Sequence, residues 1–340
     1  PPPTPPPQMD DTLTISIDFI DDQIQQYDFN EPLIIGISGP QGSGKSYLTN
    51  QLYNYLQTKY HPNLKTIQFS MDDFYLCKSD QDKLNDSTEN PLLRGRGLPG
   101  THELSLLVDT FNKLINNYKQ FKKSHLESES ESESDWEVIK IPSYDKGAFN
   151  GIGDRSNDKY YTLIESPIDI IIFEGWFNGF YSLDPTILQL KYLTSSPTPE
   201  NNNNNNNNHI SLQSFKLYDL QEINKNLQNY ESLIWSFFKI SIIFQTDQIN
   251  NVYPWRLQQE HELIAKQQQQ QQQQKSVEGT CDQVGMKNDD EIIKFIDRYM
   301  PIYLLYYENL CDYGIKNCKN LIISIDSNRR VIKNRVLNNV

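Results

Sequence analysis

The residues best suited to chemistry begin with one octapeptide, GPQGSGKS at 39–46. It matches G-x-x-x-x-G-K-[ST], the pattern of a loop that cradles phosphates. Its glycines let successive backbone N–H groups turn toward an anion, and a helix starting at Lys45 adds its positive end. In such loops the lysine reaches the β- and γ-phosphates and the serine binds Mg²⁺. We therefore predict that ATP and Mg²⁺ bind to Gly39, Pro40, Gln41, Gly42, Ser43, Gly44, Lys45 and Ser46.

Carboxylates follow two of the predicted strands. Asp72 and Asp73 come after Thr66–Ser70, and Glu174 comes after Ile168–Phe173. In open α/β sheets ligands bind at the carboxyl ends of strands, where a carboxylate can accept a hydroxyl proton or hold Mg²⁺. Asp is also a preferred helix cap, so a structural role stays open, most of all for Asp73. We predict Asp72 as a catalytic base, and Asp73 and Glu174 as Mg²⁺ ligands.

Two glycine-containing loops carry cations, at 94–103 and 144–155. Arginine and lysine beside a phosphate-binding loop can bind an anionic acceptor or neutralise a transferring phosphoryl group, although a solvated loop is an equal alternative. The candidates for the acceptor site in these loops are Arg96, His102, Tyr144, Lys146 and Arg155. Arg256 opens a helix after the predicted strand Phe237–Phe244, and we predict that it acts as a lid arginine that folds over the phosphates when substrates bind. Arg256 and Lys45 are both predicted to be catalytic residues.

Composition limits the partners of the chain. The 340 residues carry a formal net charge of −13, of which five negative charges lie in one Ser/Glu run, so 13 − 5 = 8 remain. This excess of acid argues against a nucleic-acid partner. No apolar run approaches the roughly 20 residues that span a bilayer, and the four cysteines show no CxxC spacing, which favours reduced thiols. We predict a cytoplasmic enzyme with a small-molecule acceptor; nuclear or organellar locations stay open because the chain does not begin with Met.

Strands and helices alternate between low-complexity tracts, which is typical of a parallel sheet covered by helices on both faces. The predicted strands are Leu33–Ser38, Thr66–Ser70, Val138–Ile141, Ile168–Phe173, Phe237–Phe244 and Leu321–Ile325. One predicted helix starts at Lys45. Four more are predicted to cover Glu103–Tyr118, 219–233, 248–266 and 289–312. We predict one α/β domain over 11–340, with the three-layer P-loop NTPase fold of the kinase type, after a disordered proline-rich segment at 1–10. Insertions near 124–135, 195–210 and 266–280 are interpreted as solvated loops.

Seven segments, in this order, resemble the glycerate kinase family of P-loop kinases: GPQGSGKS, SMDDFYL, LLRGRGLPGTHE, PSYDKGAFNGIGDR, FEGWFNGF, VYPWRLQQE and FIDRYMPIY. The resemblance runs from about Leu33 to Ile325, interrupted only by the low-complexity tracts. This family is similar to uridine kinase, phosphoribulokinase and bacterial pantothenate kinase. The pair Leu98-Pro99 is closer to the fungal branch of the family than to the plant branch.

The resemblance also implies roles for individual residues. The catalytic base of the related kinases falls on Asp72, and their aromatic pair falls on Phe74 and Tyr75. We include Tyr75 among the acceptor-binding candidates. The lid arginine of the relatives falls on Arg256.

Three hypotheses follow from these residues. The first is an ATP-dependent kinase for a small anionic acceptor, with D-glycerate converted to 3-phosphoglycerate as the best single candidate. The second is a kinase of the same fold for a nucleoside, sugar or pantothenate-like molecule. The third is a nucleotide-hydrolysing switch or scaffold. The guanine-reading N-K-x-D motif is missing from the sequence, and Asp72 has no evident role in a switch, so the third is the weakest.

Overall fold

The inner strands of the central sheet are apolar and buried on both faces, as expected for parallel strands. The computed structural model describes residues 11–127, 137–195, 210–273 and 288–340. In these ranges the strands are β1 Leu33–Ser38, β2 Thr66–Ser70, β3 Ile139–Ile141, β4 Tyr144–Asp145, β5 Asp154–Arg155, β6 Thr162–Ile164, β7 Ile170–Gly175, β8 Ile240–Thr246, β9 Lys319–Ile325 and β10 Val331–Asn338. Six of them form one sheet in the order β10-β9-β8-β1-β7-β2, in which β10 alone runs antiparallel to its neighbour.

Helices cover both faces of this sheet. Those in the described ranges are α1 Asp11–Gln26, α2 Lys45–Tyr60, α3 Lys78–Ser87, α4 Leu104–Glu127, α5 Pro185–Thr194, α6 Leu217–Leu233, α7 Val252–Gln273, α8 Asp289–Ile302 and α9 Glu308–Tyr313. Alternate residues of β1 enter two separate cores: Ile34 packs with Phe111 and Phe173, whereas Ile35 packs with Leu48 and Leu52 of α2. The predicted α/β fold with a helix-covered parallel sheet is therefore confirmed. Among the described helices, none is long and apolar enough to cross a membrane.

Several predicted boundaries are wrong, and one error matters for the site. The strand predicted at Ile168–Phe173 is β7, which extends to Gly175, so Glu174 lies inside the strand rather than after it. The strand predicted at Phe237–Phe244 begins only at Ile240, because residues 235–237 form a turn of 3₁₀ helix. Val138–Ile141 is confirmed as a strand but pairs only with β6, outside the main sheet.

The chain ends add two elements that the sequence did not predict. Helix α1 packs on α2, where Asp21 accepts hydrogen bonds from the hydroxyls of Tyr55 and Tyr60 at 2.6 and 2.7 Å. Strand β10 follows β9, the strand predicted at Leu321–Ile325, and has no counterpart among the predicted strands. Because β10 is a half-exposed edge strand with charged residues, it lacks the continuous apolar run that marks the central strands.

Helix 289–312 is predicted as one element but is divided in three. Helix α8 contains Pro301 and is followed by a π-helical turn, Tyr303–Tyr307, before α9. Proline has no N–H to continue the α-helical bonding, and π turns occur often at functional sites.

The low-complexity tracts lie largely outside the described residues. This applies to the proline-rich segment 1–10, the whole asparagine run and most of the Ser/Glu run. The glutamine run was predicted as a loop, but α7 continues to Gln273, because glutamine is a good helix former. Cys77, Cys311 and Cys318 are free thiols, and Cys281 lies outside the described ranges. The single-domain interpretation stays a prediction.

Candidate active site

A cavity of about 490 Å³ lies at the carboxyl ends of β1, β2 and β7. Strand β1 sits between β7 and β8, so the loop after β1 opens at the centre of the sheet edge, where ligands bind in such folds. The predicted site residues that line this cavity are Gln41, Gly42, Ser43, Gly44, Lys45, Ser46, Asp72, Tyr75, Arg96, Lys146, Glu174 and Arg256. The structure thus brings together most of the residues that the sequence singled out.

The phosphate loop has an open cradle. Gly42 and Gly44 adopt φ of +77° and +97°, a region that residues with side chains rarely enter. A Cβ at Gly44 would meet no atom within 4 Å, whereas one at Gly42 would lie 2.6 Å from Cβ of Trp255. Within the described chain no carboxylate lies within 4 Å of Lys45 Nζ, and Ser43 Oγ is buried without a partner. Open space, a hydroxyl without a partner and a lysine without a close ion pair in the described chain fit a nucleotide phosphate.

Ser46 and Glu174 meet across the cavity. The Ser46 Oγ lies 2.9 and 2.8 Å from the two carboxylate oxygens of Glu174. Ser46 is in the first turn of α2, and Glu174 is positioned by the pairing of β7 with β1 and β2. Hydroxyl and carboxylate oxygens are the ligands that Mg²⁺ prefers, usually together with substrate phosphates. The described residues contain no group of three or more His, Cys, Asp or Glu side chains that could hold a metal ion.

Asp72 is held by hydrogen bonds to both of its carboxylate oxygens. It lies in a 3₁₀ turn, Met71–Phe74, directly after β2. Its Oδ1 accepts the Tyr75 hydroxyl at 2.7 Å, and its Oδ2 accepts Lys146 Nζ at 2.6 Å. Burial acts to raise the pKa of Asp72, but the charge and hydrogen bond of Lys146 outweigh it and hold that pKa well below its usual value. Asp72 is therefore ionised, as a proton acceptor must be.

Asp73 serves as a cap of the same turn. Its Oδ2 accepts the backbone N–H of Ser70 at 2.9 Å, while the N–H of Asp72 donates to the Ser70 hydroxyl at 3.2 Å. Burial raises the pKa of Asp73 to about 6. Asp73 caps the turn and does not line the cavity, but the charge of Glu174 acts on it, and its role as a Mg²⁺ ligand stays a prediction.

Arg96 supports the hairpin that carries Lys146. Strands β4 and β5 pair only through Tyr144–Arg155 and Asp145–Asp154, and the connecting residues turn through four positive φ values. The Arg96 guanidinium donates to the carbonyls of Gly151 at 2.9 Å and Lys146 at 3.4 Å, and also to that of Ile152. Arg96 lines the cavity and at the same time fixes the tip of the hairpin.

Three predicted acceptor residues, His102, Tyr144 and Arg155, lie behind the cavity wall. His102 is buried, with Nδ1 2.8 Å from the Tyr230 hydroxyl. Arg155 donates to the Glu103 carboxylate at 2.6 Å and to the carbonyl of Tyr75 at 3.0 Å.

The rings of Tyr144 and Tyr75 meet edge to face, with their centroids 5.2 Å apart. The three side chains therefore hold Tyr75 and its turn in place. Burial lowers the pKa of His102 to about 3, so its imidazole is neutral near pH 7 and does not add to the cations of this loop.

His102 makes stability depend on pH. The folded-state pKa of His102 is depressed. As pH falls below the ordinary histidine pKa of about 6.5, the unfolded state therefore takes up a proton that the folded state does not. The contribution of neutral His102 to the free energy of unfolding is therefore complete above about pH 6.5. Below that pH the free energy of unfolding falls by about 1.4 kcal/mol per pH unit until the folded-state pKa is reached. We expect His102→Gln to make the free energy of unfolding depend less on pH between 6.5 and 4.5 than it does in the unchanged chain, as measured by urea titration. Equal slopes for the two proteins would contradict the buried neutral imidazole.

Arg256 lines the cavity from the first turn of α7. Its guanidinium pairs with the buried carboxylate of Glu260, donates to Gln259 at 2.9 Å and lies 5.4 Å from the centre of the Phe295 ring. A lid role for Arg256 stays a prediction, since its present partners are on its own helix and on α8.

Residues near the chain's end also touch the phosphate loop, and the sequence did not identify them. Arg329, in the turn between β9 and β10, donates through Nε to the carbonyl of Gly42 at 2.6 Å and lies over the Trp255 ring. Tyr303, in the π turn, accepts the N–H of Gln41 at 3.0 Å. Tyr303 belongs to a segment that carries the family resemblance, whereas no sequence signal marked Arg329, because strand β10 was not predicted.

Comparison with known proteins places this site in context. No family model matches the chain. The chain is 37% identical, over 94% of both sequences, to the probable ATP-dependent kinase TDA10 of Saccharomyces cerevisiae. It is 30% identical to the chloroplastic D-glycerate 3-kinase of Arabidopsis thaliana, over 88% of this chain and 54% of that protein. The solved structure of D-glycerate 3-kinase from Cryptococcus neoformans var. grubii superposes with a TM-score of 0.75 at 31% identity, over 97% of this chain and all of that one.

Proposed function

The chain belongs to the glycerate kinase family of P-loop kinases, and from that premise we propose that it phosphorylates D-glycerate to 3-phosphoglycerate. It is an ATP-dependent kinase, as the names of its relatives indicate. Two relatives that align over most of this chain are named D-glycerate 3-kinases, which supports this acceptor. A cytoplasmic location stays a prediction from composition.

The observation that carries the proposal is the position of Asp72. An ionised carboxylate faces the same cavity as the phosphate loop, and cationic Lys146 and Arg96 line that cavity with it. A carboxylate can accept the proton of an attacking hydroxyl, while cations can hold the anionic end of the acceptor. Phosphoryl transfer needs mainly such positioning and charge stabilisation.

The residues of the cavity also fit ATP and Mg²⁺. We assign the phosphates to the backbone of 39–46 and to Lys45, and Mg²⁺ to Ser46 and Glu174, whose oxygens already face each other. Bound there, Mg²⁺ would neutralise charge on the β- and γ-phosphates. Lys45 remains available to the γ-phosphate, since no carboxylate of the described chain lies within 4 Å of its ammonium.

A coupled assay of ADP release over a panel of acceptors tests this proposal. D-glycerate, L-glycerate, glycerol, uridine, ribose and pantothenate are each supplied with ATP and Mg²⁺, and the product is identified by phosphorus NMR. We expect D-glycerate to give the highest kcat/KM and 3-phosphoglycerate as the product. Formation of 2-phosphoglycerate, or a preference for a neutral nucleoside or sugar, would refute the acceptor assignment. ADP release that does not depend on any acceptor would favour a nucleotide-hydrolysing switch.

A further inference from the structure

The candidate base is already engaged by two side chains of the protein. Lys146 Nζ lies 2.6 Å from Asp72 Oδ2, and the Tyr75 hydroxyl lies 2.7 Å from Oδ1. Each carboxylate oxygen can accept a second hydrogen bond, but the ammonium on Oδ2 stabilises the negative charge and so weakens Asp72 as a proton acceptor while the pair persists. The arrangement therefore differs from the one in which a hydroxyl proton passes to Asp72.

Of these two partners, Lys146 is the one that can leave. Its side chain is 57% exposed, whereas Tyr75 is buried and packs against His102. The Asp72 side chain of the pair is only 25% exposed, so the pair is tight, and the ammonium leaves Asp72 only for a partner that offers it another negative charge. The backbone of Lys146 is held separately, through the Arg96 contact to its carbonyl. The Lys146 ammonium can thus move on its flexible four-carbon stem while the hairpin stays in place.

We propose that Lys146 makes the kinase select anionic acceptors by exchanging its partner. Without an acceptor Lys146 pairs with Asp72; an acceptor that carries an anionic group takes over the ammonium and leaves Asp72 Oδ2 to the acceptor's hydroxyl. The idea rests on the proposed function, since it requires a kinase with Asp72 as the base. In the step that follows, the hydroxyl oxygen bonds to the γ-phosphorus and its proton passes to Asp72. The bond from that phosphorus to the bridging oxygen breaks, and its electron pair leaves with ADP.

This exchange also protects ATP from neutral nucleophiles. Water and uncharged alcohols offer the ammonium no negative charge, so Lys146 stays on Asp72 and the base remains engaged when they enter the cavity. Specificity then comes from a penalty on the wrong acceptor as well as from attraction of the right one. The same cavity holds the cation Arg96, but its guanidinium is committed to the hairpin carbonyls, which leaves Lys146 as the group that discriminates.

Glycerol tests the exchange because it is D-glycerate with the carboxylate replaced by a neutral hydroxymethyl group. The quantity measured is the ratio of kcat/KM for D-glycerate to that for glycerol, together with ATP hydrolysis without an acceptor. We expect Lys146→Met to lower this ratio about 100-fold, which corresponds to about 2.7 kcal/mol. Two changes should lower the ratio: a higher KM for D-glycerate and a higher kcat with glycerol. ATP hydrolysis without an acceptor should also become faster. Lys146→Arg keeps the charge and should retain most of the preference.

Lys140→Met is the matched control, because Lys140 is an exposed lysine on β3 and does not line the cavity. It should leave the ratio and the hydrolysis unchanged. If Lys146→Met lowers activity toward D-glycerate and glycerol by the same factor, with no gain in hydrolysis, the exchange is refuted while the kinase assignment stands. If the unchanged enzyme phosphorylates no anionic acceptor at all, the proposed function is refuted, and the role of Lys146 with it.

Discussion

Asp72→Asn should lower kcat for phosphoryl transfer by about 1,000-fold, within the range that a positioned general base contributes. The amide cannot accept the hydroxyl proton, although it can keep the hydrogen bond from Tyr75 at Oδ1. ATP binding should not weaken, because the phosphate loop and Lys45 make no hydrogen bond to Asp72 in the described structure, and Lys45 loses only a longer-range attraction to the Asp72 charge. Rapid-quench measurement of the transfer step, with calorimetry for ATP, separates the two effects.

Asp73→Asn is the control for this substitution. It changes the adjacent residue in the same turn, and its amide oxygen can still accept the N–H of Ser70. We expect the transfer rate to stay within a few-fold of the unchanged enzyme. If instead Asp73→Asn abolished transfer and Asp72→Asn did not, the base would have to be reassigned to Asp73.

Local sequence patterns predicted the phosphate loop and its neighbours well. The motif at 39–46 follows an apolar strand and precedes a helix, and the structure keeps that arrangement. The strand-end argument found Glu174 and Asp72, because parallel strands put their carboxyl ends at one edge of the sheet. Asp72 and Asp73 were harder to separate, since adjacent acids look alike in sequence. Only the geometry of the turn reveals that Asp73 caps it while Asp72 faces the cavity.

Long-range contacts explain what the sequence could not predict. His102 and Arg155 were predicted as acceptor residues because they lie in the cationic loops, but burial beside Tyr230 and pairing with Glu103 place them behind the cavity wall. The partners of His102 and Arg96 are 128 and 55 residues away in the chain, so no local pattern records them. Arg329 shows the same limit, because its contact to Gly42 depends on an edge strand without a clear sequence signal.

Two glycines of the phosphate loop should respond differently to the same added methyl group. Gly42 is packed, since a Cβ there would lie 2.6 Å from Cβ of Trp255 and 3.1 Å from its backbone carbonyl carbon. We therefore expect Gly42→Ala to lower the free energy of unfolding by more than the roughly 1–3 kcal/mol that backbone strain alone costs. Gly44 borders open space, so Gly44→Ala should incur only that strain.

The larger effect of Gly44→Ala should fall on ATP binding. Its methyl group would occupy the open space over the loop, directly before Lys45, where we place the phosphates. We expect the Kd for ATP to rise at least about 100-fold, equivalent to about 2.7 kcal/mol, in isothermal titration calorimetry. Urea unfolding without nucleotide should show that the Gly44→Ala protein is folded and more stable than Gly42→Ala. An ATP Kd within threefold of the unchanged protein would mean that the phosphates do not lie over Gly44. The nucleotide assignment for this cavity would then be wrong, because Gly44 is where the loop combines open space with a lysine that has no close ion pair in the described chain.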